Sequence, residues 1–223
     1  LYIPLHFAVD DVEQVAEFVE SVGAADIVTF DGTSLVSSLV PVIWERTGAG
    51  YGRLLAHIAL ANTQWRTSRT DVPALAIVHG PQAYISPSWY ASKREHGRVV
   101  PTWNYSSVHF TGLVSFPTDA EWLRDIVTRL TARHEAHRTD RWHVDDAPTA
   151  YVDGQLRGIV GVEMLITRVE AKAKLSQNRS SADQAGAVEG LRAELDPQAH
   201  EVARLMAERL GTSAGDQSDR AVT

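Results

Sequence analysis

The dipeptide Asp31-Gly32 stands between two apolar runs, AADIVTF (24–30) and SLVSSLVPVIW (34–44). Asp-Gly accepts the positive φ of a tight hairpin turn, and both flanking runs are rich in β-branched and aromatic residues. This stretch therefore predicts an antiparallel β-hairpin, and it sets the style of pairing for the later strands. Further β-rich runs are RLLAHIAL (53–60), ALAIVHG (74–80) continuing into AYISPSWY, VHFTGLVSF (108–116) and GIVGVEMLITRVEA (158–171). In the last of these, Gly158 and Gly161 suggest a bend or a close approach.

Helical spacing appears at both ends of the strand-rich region. Val12, Val15, Phe18, Val19 and Val22 recur on one face, with Asp10 or Asp11 as cap and Gly23 as stop. A second helix is expected from Asp119 to about His137, with Thr118 as its N-cap and Trp122, Ile126, Val127 and Leu130 as its apolar stripe. Shorter helices are expected at 149–157, 181–194 and 197–210, the last with Pro197 in its first turn. Short strands, one long late strand and helices at both ends define an α+β fold centred on a closed or nearly closed antiparallel barrel. A barrel domain is expected over 1–180, a helical C-terminal segment over 181–210, and a small-residue, disordered tail over 211–223.

Composition narrows the partners. The 223 residues carry a net charge of −7, which disfavours a surface built to neutralise phosphates, and no helix-turn-helix pattern is visible. DNA as a partner thus has no support from charge or motif. There is no cysteine, so a disulfide scaffold and thiolate metal sites are excluded, in keeping with a reducing cytoplasm. No apolar run approaches the roughly 18 residues of a membrane helix. The opening LYIPLHFAVDD lacks the basic stretch and apolar core of a secretory leader.

Four clusters could carry chemistry. The stretch GPQAYISPSWYASK (80–93) and VVPTWNY (99–105) put Tyr84, Trp89, Tyr90, Trp103 and Tyr105 among prolines, hydroxyls and Lys93. Ser86-Pro87 and Val100-Pro101 predict rigid, non-ladder segments. Such aromatics suit a planar ligand, with Ser86, Ser88, Thr102 and Asn104 at its polar edge and Lys93 for an anion; they equally suit packing in a barrel. KAKLSQNR (172–179) places Lys174, Ser176, Gln177, Asn178 and Arg179 together as phosphate-type donors or as a solvated loop. In LLAHIALANTQWR, His57 lies on an apolar strand, and Asn62 and Trp65 follow at its end. His57 is a core histidine, a ligand contact or a haem ligand. Ser37 and Ser38 are hydroxyls in an apolar strand and need partners if buried. Nucleotide-binding glycine loops, a G-x-S-x-G elbow and H-E-x-x-H are absent from the sequence. His134-Glu135 with His137 has the wrong helical spacing for two ligands on one face. No residue stands out as a general acid or base, and the residues leave open whether the chain is an enzyme.

Three long stretches in this order, GPQAYISPSWYASK, VPTWNYSSVH and KLSQNR, resemble the PaiB family of FMN-binding negative transcriptional regulators. YIPLHF, LAHIALANTQW and IVGVEMLIT are similar to the same family, so the resemblance spans about residues 2–210. It implies an FMN-binding split barrel, a cytoplasmic homodimer with cofactor near the subunit interface, and a regulator of transcription, direct or indirect, or a flavin-dependent redox protein. It makes Ser37, Ser38, His57, Asn62, Trp65, Tyr84, Ser86, Trp89, Lys93, Thr102, Trp103, Asn104, Lys174, Ser176, Gln177, Asn178 and Arg179 candidate cofactor contacts. No metal is implied except haem iron at His57, the alternative suggested by the related piperazate synthases. Two departures stand out. Leu39 occupies the position of a common family histidine, and ALANT (59–63) replaces ARANP, so Leu60 stands for an arginine.

Overall fold

The first helix, α1 (Val12–Val22), forms because both of its ends are satisfied. The Asp11 carboxylate accepts the N–H groups of Glu13 and Gln14 at 2.9 and 3.3 Å. Gly23 ends it in the left-handed region (φ 72°), and Val15 and Val19, four apart, are buried. A computed structural model describes residues 1–46 and 50–219 of the protein. The elements after α1 are β1 (Ala24–Phe30), β2 (Leu35–Pro41), β3 (Ile43–Glu45), β4 (Arg53–Ala59), α2 (Gln64–Thr67), β5 (Ala74–Ile85), α3 (Ala91–Glu95), β6 (Thr102–Ser115), α4 (Ala120–Glu135), α5 (Thr149–Leu156), β7 (Ile159–Lys174), α6 (Ser181–Arg192) and α7 (Pro197–Asp219). The expected hairpin is β1–β2, with Asp26 opposite Leu39 and Val28 opposite Ser37. Its turn spans Asp31–Ser34 rather than two residues. The Asp31 carboxylate accepts the N–H groups of Thr33 and Ser34, which holds its pKa below the ordinary value.

The strands make one antiparallel sheet in the order β2-β1-β5-β6-β7-β4-β3. It curls without closing: β2 lies against β4, while the end strands β2 and β3 are not hydrogen-bonded neighbours. The chain divides into two compact units. The first, the hairpin unit, comprises 11–78 and 108–170; the second, the tryptophan unit, comprises 1–10, 79–107 and 171–223.

In the hairpin unit β4 alternates. Leu54, Ala56 and Ile58 are buried on one face, and Leu55 on the other face packs under Ile126 and Leu130 of α4. Helix α4 begins one residue later than expected. Asp119, not Thr118, caps it by accepting the N–H of Trp122 at 2.8 Å, a job for which its carboxylate is at least as good as a hydroxyl. Its buried stripe is Leu123, Ile126 and Leu130, flanked by half-buried Trp122 and Val127. The expected close approach on β7 is real at Gly161, where an added Cβ would lie 2.3 Å from the Trp122 ring. Arg133 on α4 donates to the carbonyls of Val42 (2.8 Å), Val19 (3.3 Å) and Glu20, closing the C-terminal end of α1.

In the tryptophan unit the core joins Ile85, Tyr90, Leu175, Leu191, Val202 and Met206. Two boundaries differ from expectation. β6 starts at Thr102, directly after Pro101, and β7 runs on to Lys174, so Thr102–Tyr105 and Lys172–Lys174 are strand rather than loop. Hydrogen-bonded neighbours in the sheet extend both runs past the polar residues that looked like ends. Helix α7 runs to Asp219, past the expected end at 210, and residues 220–223 of the expected tail lie outside the described residues.

Candidate functional site

In the hairpin unit the segment after β4 folds back on the hairpin through amides. Asn62 donates from Nδ2 to the Ser38 hydroxyl at 2.8 Å, and its Oδ1 accepts the Gln64 N–H at 3.0 Å. Gln64, only 2 % exposed, donates from Nε2 to the Ile27 carbonyl (2.9 Å), the Thr29 hydroxyl (3.0 Å) and the Val36 carbonyl (3.2 Å). Burial without these partners would cost roughly 1–3 kcal/mol per group, so the network fixes α2 against β1 and β2. That fixed turn presents Trp65, whose Nε1 donates to the Leu60 carbonyl at 3.0 Å, with the Arg66 guanidinium 4.6 Å from its ring centroid. Next to Ser38, Ser37 points to solvent, 3.5 Å from an Asp26 carboxylate oxygen. Leu35 and Leu39 share its face of β2; Leu39 is 70 % exposed.

His57 is separate from this cluster's hydrogen bonds. It pairs with Gly161 across β4 and β7, so its side chain shares the face that Trp122 of α4 covers. Its Nδ1 is buried without a hydrogen-bond partner. Burial lowers its pKa and keeps the ring neutral.

In the tryptophan unit the aromatic stretch forms a cavity of about 450 Å³, walled by Tyr84, Trp89 and Trp103. Trp103 is oriented by its Nε1–H, which donates to Gln82 Oε1 at 3.0 Å. Trp89 lies on α6: an added Cβ at Gly190 would come within 2.2 Å of its ring, and one at Gly186 within 2.1 Å of its carbonyl oxygen. These two glycines, four apart and so on one helix face, are a signal in the sequence that no motif singles out. Ser86 accepts the Ser88 N–H at 3.2 Å, and the Ser88 hydroxyl accepts from Lys93 Nζ at 3.0 Å, all near the surface.

KLSQNR is largely turned inward. Lys174 donates to the Thr102 hydroxyl and, at 2.8 Å, to the Trp103 carbonyl; burial is the main reason its pKa is lowered, with Lys172 and Arg179 adding to the effect. Asn104 is buried and donates to Ser176 Oγ at 3.0 Å and to Met206 Sδ at 3.4 Å. Ser176 is held at φ 65°, a backbone state uncommon for any residue but glycine. Gln177 accepts the Leu175 N–H at 2.7 Å and donates to the Ala173 carbonyl, replacing backbone partners at the end of β7. Asn178 is exposed, and the Arg179 guanidinium lies 5.0 Å from the Tyr90 ring centroid. Asp183, which no motif marks out either, is buried and accepts from Ser92 N (2.9 Å) and Ser92 Oγ (2.7 Å). Burial raises its pKa, but the Ser92 donors more than offset this and the net shift is downward.

Two donor sets therefore face outward. A flavin mononucleotide asks for apolar surface along its ring, polar groups at the ring edge and cationic or N–H donors for its phosphate. The hairpin unit supplies exposed Leu35, Leu39 and the Ser37 hydroxyl on one face of β2 and, at α2, the Trp65 indole and the exposed Arg66 guanidinium, which are of the right kinds, while the Asn62 amide is spent on Ser38 and Gln64. The tryptophan-unit cavity supplies aromatic faces but is lined by Glu194 and Asp196 and by no lysine or arginine, which does not fit a phosphate.

An open antiparallel split barrel carrying a flavin-type donor set defines the class. The family model described as "Putative FMN-binding domain" matches residues 1–168. The chain is 33 % identical over 210 residues to "Protease synthase and sporulation protein PAI 2" of Bacillus subtilis, covering 94 % of this chain and 98 % of that one. The chain belongs to this FMN-binding family, the PaiB family, and its cofactor is FMN. Among solved structures it is similar to the flavocytochrome Anf3 from Azotobacter vinelandii (TM-score 0.52, 13 % identity, 75 % of this chain and 69 % of that one). It is equally similar to an FAD and heme binding protein from Mycobacterium smegmatis (TM-score 0.52, 13 % identity, 80 % and 78 %). At these identities the two structures bear on the fold alone. Haem as the cofactor is not favoured, since the matching family model is of an FMN-binding domain. Among the described residues no helix is long and apolar enough to cross a membrane.

Proposed function

We propose that the chain is an FMN-dependent regulator in which the hairpin unit holds the flavin. Trp65 contacts it on the turn that Ser38 and Asn62 hold in place, and Arg66, the cation at this cluster, takes the part that Leu60 leaves vacant. The match of the FMN-binding family model over residues 1–168, which span parts of both units, carries the flavin itself. The outward-facing leucines, hydroxyl and guanidinium of the hairpin unit support its placement there. When bound, FMN supplies the redox chemistry. The chain's residues orient the ring, offer hydrogen bonds at its edge and exclude water with Leu35 and Leu39. The regulatory role rests on the resemblance to the PaiB family of negative transcriptional regulators, to which the Bacillus relative, "Protease synthase and sporulation protein PAI 2", also belongs. With a net charge of −7, regulation acts through a flavin-dependent partner or reaction in the cytoplasm rather than through broad phosphate contacts. A second copy of the chain covers the exposed apolar face of β2, giving a homodimer.

The test is the absorbance spectrum of the isolated protein followed by FMN titration. A flavin spectrum or saturable binding, weakened in Trp65→Ala and Arg66→Ala, is expected. A colourless protein that FMN does not titrate would overturn the assignment. A gel shift on the protein's own promoter that weakens steeply with salt would replace the indirect role with a direct one, and size-exclusion chromatography decides the dimer.

A further inference from the structure

The cavity of the tryptophan unit is left over by the flavin assignment, and its chemistry points elsewhere. Its walls are three aromatic side chains, two of them, Tyr84 and Trp103, about half exposed. At its rim stand Glu194 and Asp196, on the connection between α6 and α7. One Asp196 oxygen is occupied by the Gln198 N–H at 2.9 Å, which caps α7, and the Glu194 backbone carbonyl accepts from His200 Nε2. Both carboxylates remain exposed, and no lysine or arginine is among the lining residues.

We propose that this cavity binds an organic ammonium cation. Aromatic faces carry negative electrostatic potential and attract cations, most strongly when a ring is tryptophan. The two carboxylates add charge of the complementary sign. The Gln82 bond to the Trp103 indole holds one ring in place before any ligand arrives, which limits the ordering cost on binding. The volume, about 450 Å³, lies within the range of small-molecule pockets and exceeds what a bare metal ion needs. A metal ion would also seek a shell of oxygen ligands, and three of the lining residues are indole or phenol. A phosphate, carboxylate or flavin mononucleotide meets the wrong sign of charge.

The experiment compares choline with its neutral carbon isostere, dimethylbutanol, on the full chain loaded with FMN. Binding is followed by calorimetry and by tryptophan fluorescence. Choline is expected to saturate and to bind about tenfold tighter than the isostere. The double variant Glu194→Gln with Asp196→Asn should shrink that advantage and leave FMN affinity unchanged; Asn still caps α7. Trp103→Leu should weaken choline and leave FMN in place. Equal affinity for choline and the isostere, absence of saturation, or an unchanged preference in the double variant would each overturn the proposal. Displacement of FMN by choline would overturn it too, by placing the flavin in this cavity. Should the double variant fail to fold, the comparison of choline with its isostere on the wild-type chain decides alone.

Discussion

The two units use the same kinds of residue for opposite purposes. In the hairpin unit, Gln64 commits its amide to internal partners so that its neighbours Trp65 and Arg66 can face outward. In the tryptophan unit, Lys174, Ser176 and Gln177 look like a phosphate clamp in sequence, yet most of their polar atoms bond to protein, Ser176 to the buried Asn104. What the second unit leaves open is aromatic and acidic. A run of Lys, Ser, Gln and Asn is thus a statement about hydrogen-bonding capacity, and only the fold decides whether that capacity is used inside or offered outside.

The comparison can be broken most forcefully at Gly190. Helix propensity favours alanine there by about 1 kcal/mol, whereas the Trp89 ring must move to admit a Cβ, an overpacking cost of roughly 1–3 kcal/mol or more. Gly190→Ala should therefore lower stability in urea unfolding; a stabilised variant would show that Trp89 does not rest on α6. Next comes Asn104→Ala. It strands the buried Ser176 hydroxyl and should cost about 2 kcal/mol, with FMN affinity unchanged if this cluster is structural. A large loss of FMN binding in a folded Asn104→Ala protein would return KLSQNR to the cofactor. Trp65→Ala should show the reverse pattern, weakening FMN about tenfold with a smaller change in stability.

The smallest effects are in pH dependence, and they separate the units. His57 has a pKa lowered from 6.5 by burial. The unfolded chain therefore takes up a proton first, and stability is lost as pH falls below about 6.5. His57→Gln should flatten the stability curve between pH 7 and about 5. Asp183 also has a lowered pKa, so its contribution is complete at neutral pH and is lost only as pH falls below about 4. Asp183→Asn should remove that acid limb. Unfolding midpoints across pH for the two variants check both windows, and a coincident loss near one pH would contradict the assignment.

Much of the fold was legible because its signals are local. Asp11 and Gly23 bracket α1, Asp31-Gly32 sits in the β1–β2 turn, and alternation marks β4. The differences lie at boundaries. Thr118 and Asp119 are both good caps, and nothing local chooses between them. Thr102–Tyr105 and Lys172–Lys174 read as polar loop because a strand end is set by its neighbours in the sheet. For the site, the sequence brought the right residue types to notice but not their direction. His57 drew attention as an isolated histidine on an apolar strand, and only the fold shows that it is half-buried opposite Gly161 with its Nδ1 enclosed. The four-residue spacing of Gly186 and Gly190 is a signal without a meaning of its own, because a small residue in a helix carries no chemistry until something rests on it.

The sequence by itself determined the α+β class, most elements, the acidic balance and, through three long motifs, the FMN-binding family. These depend on short-range periodicity, caps and ordered spacing, all of which survive in one dimension. The tertiary structure alone decided which polar groups are satisfied internally and which remain open. It turned KLSQNR inward, set Trp65 and Arg66 at the surface, and lined the tryptophan cavity with carboxylates from a connection some ninety residues away in the chain. Hydrogen bonds, burial and charge complementarity are relations between residues distant in sequence, so they come into being only when the chain has folded.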